Sequence, residues 1–376
     1  MAEAVEVLVV GGGPAGLAAA IAARQAGLDR VRVLDRLRPP IDKACGEGLM
    51  PDGLAALAEL GVPTERLPGA PFRGIRYLDG ERVAEGRFPR GAGRGIRRTD
   101  LHAALVRRAE EAGVELRWGV RVVALAAGGV ETDRGPIAAR FVAGADGLGS
   151  RLRAWAGLGG RPVLRASARR FGVRRHFRVA PWTDLVEVYW ADGAEAYVTP
   201  VGEREVGVAL LWSGGPTRFD GLFARFPALA ARLAGAEVTS RDRGAGPLQQ
   251  RVRRVTRGRL ALVGDASGYV DAITGEGLSL AFHQAQALAG ALAAGDLAAY
   301  QRAHRALGRL PDGITRGVLA IERRPALRRR VIAALAAEPE LFDRLLGVHS
   351  RALPLSRVGL PGALRLAWRL AGAGGA

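Results

Sequence analysis

The chain opens on three consecutive patterns. Val5-Glu6-Val7-Leu8-Val9-Val10 is a short apolar run rich in β-branched residues, an alanine-rich helical stretch continues to about Ala26, and Val31-Arg32-Val33-Leu34-Asp35 is a second apolar run. With the glycine cluster between the first two, they predict a βαβ unit. A helix over 54–60 ends at Gly61, and residues 72–97 alternate like strands around an Asp79-Gly80 turn. Thr99 or Asp100 is placed to cap a helix running to about Glu111, with Gly113 as its stop, and β-rich segments follow at 114–126 and 137–143.

From 163 to 212 the period shortens to strands joined by turns, at 185–190, 196–199 and 206–212, with Asp192-Gly193 as one turn. This reads as an inserted antiparallel sheet. After a helical piece near 217–234, residues 259–265 return to a buried-strand pattern, and a glycine turn leads into a long helix over 278–294. Residues 296–376 read as helical, with Pro311, Pro325, Pro354 and Pro361 expected to break them into pieces. The expected fold is α/β: a Rossmann-like domain with a central parallel sheet, an inserted antiparallel sheet and a helical C-terminal region. The expected boundaries are 1–71 with 98–162 and 256–295 for the first domain, 72–97 with 163–255 for the inserted one, and 296–376 for the helices.

Composition narrows the function classes. A chain of 376 residues suits about two domains, and 48% hydrophobic with 24% charged residues excludes low-complexity disorder. The single cysteine, Cys45, cannot close an intramolecular disulfide, and five histidines without HExxH or CxxC offer no local zinc spacing, so no metal is expected. The net charge of +18 raises nucleic acid as a partner, but Lys43 is the only lysine and the arginines spread along the whole chain. That is a compositional preference for arginine, and no nucleic-acid partner is expected. The acidic start through Glu6 is unlike an export signal, and no apolar run of roughly 18 or more appears, so the expected location is cytoplasmic. Arg323, Arg324, Arg328, Arg329 and Arg330, interleaved with Ala, Leu and Ile, are candidates for peripheral contact with an anionic membrane.

Gly11-Gly12-Gly13-Pro14-Ala15-Gly16 stands directly after one strand and opens a helix. Gly11 permits the tight turn, Gly13 lets a pyrophosphate reach the backbone, Gly16 allows helix and strand to pack closely, and the helix N-terminus supplies partial positive charge. Asp35 ends the next strand nineteen residues after Gly16, where an acid can accept hydrogen bonds from ribose hydroxyls, followed by Arg36. Two more glycine turns follow strands: Ala143-Gly144-Ala145-Asp146-Gly147-Leu148-Gly149-Ser150 and Val263-Gly264-Asp265-Ala266-Ser267-Gly268. Taken alone, Asp146 and Asp265 would be turn or cap residues.

GxGxxG, a DG segment and a late GD segment in this order resemble the FAD-dependent family of para-hydroxybenzoate hydroxylase and geranylgeranyl reductase, over roughly residues 5–290. The resemblance implies FAD, with Asp265 on the ribityl chain, Asp146 and Gly147 near flavin and pyrophosphate, and Arg98 touching the cofactor from its helix start. Thr274-Gly275-Glu276-Gly277 would aim a helix N-terminus at the flavin N1 and C2 oxygen, stabilising charge that develops there on reduction. Asp42-Lys43-Ala44-Cys45-Gly46-Glu47-Gly48 is similar to the loop that the family places beside the isoalloxazine. The implied cofactor set is Gly11, Gly13, Pro14, Ala15, Gly16, Asp35, Arg36, Cys45, Gly46, Arg98, Asp146, Gly147, Gly264, Asp265, Gly275 and Gly277; the candidate catalytic set is Lys43, Cys45, Gly275, Glu276 and Gly277.

A single GxGxxG implies that NADH or NADPH binds only transiently as electron donor, and the absence of a CxxxxC pair disfavours disulfide-reductase chemistry. Two reactions remain. The aromatic YxWxFP segment of geranylgeranyl reductases is replaced by Glu195-Ala196-Tyr197-Val198-Thr199-Pro200, and the halogenase WxWxIP is missing. The favoured expectation is therefore monooxygenation, through a flavin C4a-hydroperoxide formed with O2, of a small apolar aromatic or polyketide-like substrate. The alternative is saturation of isoprenoid double bonds. Tyr189, Trp190, Tyr197 and Trp212 are candidate cavity aromatics, and His102, His176 and His283 are read as structural.

Overall fold

The computed structural model describes residues 5–160, 169–215 and 217–357; residues 163–168 of the strand-rich stretch, Pro361 and the rest of 358–376, and the first four residues lie outside the described residues. Val5–Val10 stands in the middle of the first sheet, parallel to Gly135–Gly144 on one side and Val31–Asp35 on the other. Leu260–Leu262 joins beyond Gly135–Gly144, and Glu115–Trp118 beyond Val31–Asp35, both again parallel. A strand covered on both faces needs apolar residues at successive positions, and Val7, Leu8 and Val9 are all fully buried. The Pro14–Gln25 helix lies against this sheet and against the Gly277–Ala293 helix, and its run of alanines lets the backbones approach closely.

A second sheet runs in the order Glu237–Val238, Arg170–Arg178, Glu205–Ser213, Ala194–Gly202, Val186–Ala191, Gly74–Asp79 and Arg82–Arg87, with Arg243–Ala245 also on Arg170–Arg178. Its neighbours are antiparallel except Val186–Ala191 beside Gly74–Asp79, which run parallel. These two strands are far apart in sequence, so no hairpin forces opposite directions. The helices Pro325–Ala337 and Pro339–His349 cover the Arg82–Arg87 end of this sheet. No helix among the described residues is long and apolar enough to cross a membrane.

Three sequence expectations change. Pro311 does not break its helix, which runs unbroken over Leu297–Glu322. A proline removes the N–H that the carbonyl four residues back would accept, and here the Leu307 carbonyl accepts from Arg351 Nη2 at 3.3 Å instead. Neither Thr99 nor Asp100 caps the Arg98–Glu111 helix; Arg97 holds the cap position, and the Arg98 N–H donates to Glu47 Oε1 at 2.8 Å from a distant loop. Arg328 does not face solvent with Arg323, Arg324 and Arg329. It is 2% exposed, and its guanidinium binds Asp79 at 2.9 Å and Asp192 at 3.0 Å, tying the Pro325–Ala337 helix to the second sheet.

A second buried cluster joins three parts of the chain. Arg170 lies 2.8 Å from both Glu195 and Asp271 and 3.7 Å from Glu322, all four being buried. Three carboxylates around one guanidinium cannot all ionise without leaving unbalanced charge in a low dielectric. Burial pushes the Glu195 carboxyl up to about 7 against the pull of Arg170.

Arg328→Ala, which strands the Asp79 carboxylate, is expected to destabilise the fold by about 3–5 kcal/mol in urea melts. Glu195 in the folded chain keeps a proton that the unfolded chain releases near its ordinary 4.5, so its contribution is complete below that pH and is lost as pH rises through about 7. Glu195→Gln is expected to flatten that decline in melts recorded across this window.

Candidate active site

The glycine loop is fixed by contacts that exclude side chains. Gly11 has φ +113°, and a Cβ there would stand 2.3 Å from the Ala145 carbonyl oxygen; a Cβ on Gly16 would stand 1.8 Å from the Gly11 carbonyl oxygen. Gly13 occupies the cap position of the Pro14–Gln25 helix with no side-chain cap, and the space where its Cβ would be is open except for Arg98 Nη2 at 3.8 Å. First-turn N–H groups left without a side-chain cap, beside a guanidinium, suit an anionic phosphate.

Two residues brace this loop from outside it. Asp35 accepts from the Gly12 N–H and from the Leu37 N–H, each at 2.8 Å. His102, fully buried, has Nε2 2.8 Å from the Gly12 carbonyl, so Nε2 carries the hydrogen. Burial lowers its pKa and keeps the ring neutral. It follows Arg98 by one helical turn on the same face of Arg98–Glu111, which a four-residue spacing could have signalled.

The loop forms one end of a cavity of about 1440 Å³, beyond the 300–1,000 Å³ usual for a single small ligand. Gly11, Gly13, Pro14, Ala15, Asp35 and Arg36 line that end, and Lys43, Cys45, Gly46, Arg98, Asp146, Gly147, Gly264 and Asp265 continue the wall to Gly275 and Gly277. Two expected residues do not line it. Gly16 is packed against Gly11, and Glu276 is buried behind the turn it belongs to. Asp146 accepts from Ser150 Oγ at 2.5 Å and from the N–H groups of Arg151 and Leu152, supporting the Ser150 cap of the short Arg151–Trp155 helix while its segment lines the cavity.

Charge in the wall is mixed. Burial, then the like charge of Arg98, lowers the pKa of Lys43, whose Nζ lies 3.8 Å from where a Cβ on Gly147 would stand. Burial raises the pKa of Asp265, opposed by Arg98, Lys43 and Arg153. Arg98 Nε has no hydrogen-bond partner among the described residues. A buried unpartnered donor beside an open helix N-terminus suits an anionic group.

The loop carrying Lys43 and Cys45 is held by long-range contacts, among them one to His176, which the sequence reads as structural. Glu47, at φ +59°, is 3% exposed; its Oε2 lies 2.5 Å from His176 Nε2, and its Oε1 lies 3.7 Å from Arg174 Nη2. Arg174 also pairs with Asp42 and reaches His176 Nδ1 at 2.9 Å. Cys45 Sγ accepts from the Glu47 N–H at 3.4 Å.

Beyond Gly275 and Gly277 the wall turns apolar. Tyr77, Trp190 and Tyr197 lie along it with Ile314, Val318, Ile321, Leu335, Phe342 and Leu346 of the C-terminal helices. Tyr197 donates to the Ile273 carbonyl at 2.9 Å, and the Trp190 ring meets Tyr77 edge-on at 5.7 Å. Tyr189 and Trp212 are not cavity residues: both belong to the core on the opposite face of the sheet, where Tyr189 donates to Glu187 and Trp212 to the Gly215 carbonyl. Residues 189 and 190 alternate across a strand, so only one of them can face the cavity.

Asp35→Ala removes a charged acceptor from the loop, worth about 1.5–3 kcal/mol. FAD affinity measured by fluorescence quenching is expected to fall by about 10- to 100-fold.

A family model described as "FAD binding domain" matches residues 4–297. A menaquinone reductase of Mycobacterium tuberculosis (strain CDC 1551 / Oshkosh) is 29% identical over 329 residues, covering 79% of this chain and 78% of that protein. A digeranylgeranylglycerophospholipid reductase of Methanocella arvoryzae is 26% identical over 319 residues, covering 78% and 80%. Among solved structures, p-nitrophenol 4-monooxygenase PnpA from Pseudomonas putida DLL-E4 superposes with a TM-score of 0.77 at 20% identity, covering 92% of this chain and 97% of that one, a likeness of fold. With a family match over most of its length, the chain belongs to the FAD binding domain family and is an FAD-dependent oxidoreductase.

Proposed function

We propose that the protein saturates carbon–carbon double bonds in a long apolar, isoprenoid-like substrate. The observation that carries this reading is the continuation of the cofactor cavity into an apolar compartment walled by the C-terminal helices. Bound FAD, once reduced by transiently docked NADH or NADPH, would supply a hydride to one carbon of the double bond, the other carbon taking a proton that comes ultimately from solvent.

The chain's own residues hold and shield. Arg98, Lys43 and the first turn of the Pro14–Gln25 helix take the pyrophosphate, Asp35 the ribose, and Asp265 the ribityl chain. The segments 1–71, 98–162 and 256–295 thus act as the cofactor-binding domain, and 72–97 with 163–255 as the substrate domain closed over by the helices from 296. Ile314, Val318, Phe342 and Leu346 exclude water and accept the chain by burying its surface, at about 0.8 kcal/mol per methylene. The menaquinone and archaeal lipid reductases among the relatives support this reading.

Hydroxylation of an apolar aromatic with O2 is the second reading. It is favoured by residues 195–200, which lack the aromatic pattern of geranylgeranyl reductases. Tyr77 and Trp190 lie beside Tyr197 in the cavity and supply aromatic wall from other strands.

Dithionite-reduced, FAD-loaded protein mixed without oxygen with a polyprenyl lipid is expected to reoxidise and yield product carrying two more hydrogens by mass spectrometry. No anaerobic turnover, with an oxygen-dependent gain of one oxygen atom on an apolar phenol, would replace alkene reduction by hydroxylation.

A further inference from the structure

Glu276 directly precedes the Gly277–Ala293 helix, yet its side chain does not cap it. The side chain turns away from the cavity, is about nine-tenths buried, and meets His349 of the Pro339–His349 helix, with Oε2 3.5 Å from Nδ1. Neither atom has a hydrogen-bond partner among the described residues. On the other side of the ring, Nε2 lies 2.9 Å from the Thr274 carbonyl oxygen.

That last contact fixes the proton inventory. A carbonyl oxygen only accepts, so Nε2 carries the hydrogen, and a neutral His349 presents a bare Nδ1 lone pair to the Glu276 carboxyl. A carboxylate and a bare ring nitrogen facing each other in a buried space repel, whereas one proton between them relieves both. Whether that proton resides on Glu276 or on Nδ1, the couple is then neutral overall; without it, the couple carries a net negative charge. Burial independently pushes the Glu276 carboxyl upward, with Asp52 and Asp312 acting in the same direction and His349 and Arg351 against it. The charged and titratable groups around the couple are Asp52 on the Pro51–Glu59 helix, Asp312 on Leu297–Glu322, Arg351 after Pro339–His349, and His283 on the following helix, itself 3.7 Å from Asp52.

Glu276 does not line the cavity, whereas its partner His349 does. Thr274, Gly275, Gly277 and His349 all line the cavity, so a charge change on the couple falls next to the helix N-terminus that faces it. We propose that Glu276 and His349 form a proton-holding positioning couple, linking reduction of the bound flavin to retention of one further proton at this turn. The proposal rests on the reading above in one respect, that the flavin ring lies against residues 274–277. Reduction of oxidised flavin to its anionic form consumes two electrons and one proton on the ring. The added negative charge makes the couple bind its proton more tightly, so over a pH interval a second proton is taken from solvent onto Glu276 or His349.

The experiment is a spectroelectrochemical titration of FAD-loaded full-length protein with mediator dyes, between about pH 5 and pH 9, the range in which such couples titrate. The slope of midpoint potential against pH counts protons per electron pair. Wild type is expected to pass through an interval of two protons per two electrons, flanked by one. Glu276→Gln can still donate a hydrogen bond to Nδ1 but has no proton to lose, and is expected to keep one throughout. His349→Gln removes the bare nitrogen that shares the proton with Glu276, and is expected to move the interval to lower pH. Far-ultraviolet dichroism and FAD fluorescence quenching verify that each variant is folded and loaded.

One proton throughout in wild type, or an unchanged interval in Glu276→Gln, overturns the couple while leaving the flavoenzyme reading intact. Failure of the wild-type protein to hold FAD, seen separately by quenching, overturns the cofactor placement and the couple together.

Discussion

The molecule is arranged around a contact that admits no side chain: the Gly11 carbonyl against the backbone of Gly16, with Gly11 itself pressed on the Ala145 carbonyl. Only glycine allows the central strand to turn this sharply into a helix whose start is left uncapped. Gly12 is closed in by the Trp118 ring, leaving Gly13 as the open position where an incoming ligand meets backbone. Asp35 and neutral His102 then hold the loop from two directions, so its shape is set by the chain's own contacts.

The glycine loop does not by itself make an apolar compartment. That compartment comes from how the remaining chain is fastened over it. Arg170 gathers carboxylates from the second sheet, the loop after Gly264 and the end of the Leu297–Glu322 helix, and Arg328 fastens the next helix to Asp79. Both are buried arginines whose partners lie far along the chain. Such pairs contribute little net stability compared with apolar packing, but they specify one arrangement, because any other would bury an unbalanced charge. The apolar compartment thus owes its position to charged residues that do not line most of it.

The cofactor end was legible in the sequence because its requirements are steric and local. Gly11, Gly13, Gly16 and Asp35 sit at fixed offsets within one βαβ unit, and at Gly11 and Gly16 a side chain would collide with backbone carbonyls. The α/β class followed from the continuous apolar run at residues 5–10 and the alternating strands later on. What escaped was set by contacts between distant segments. Glu47 reaches His176 across 129 positions, and its cap on Arg98 displaced Thr99 and Asp100 from the role their types suggest. Pro311 continues its helix because Arg351, forty-four residues beyond Leu307, satisfies the orphaned Leu307 carbonyl. Tyr189 and Trp190 look equivalent in a strand; which one faces the cavity depends on which face the C-terminal helices cover.

In the proposed function, one compartment receives both the cofactor and a long apolar chain. The most direct measurement is a binding series on oxidised, FAD-loaded protein, following the flavin absorbance as polyprenols of increasing length are added. Affinity is predicted to rise with each added isoprene unit until the apolar end is filled and then to level off. Affinity independent of chain length, with only the head of the molecule perturbing the flavin, would contradict it.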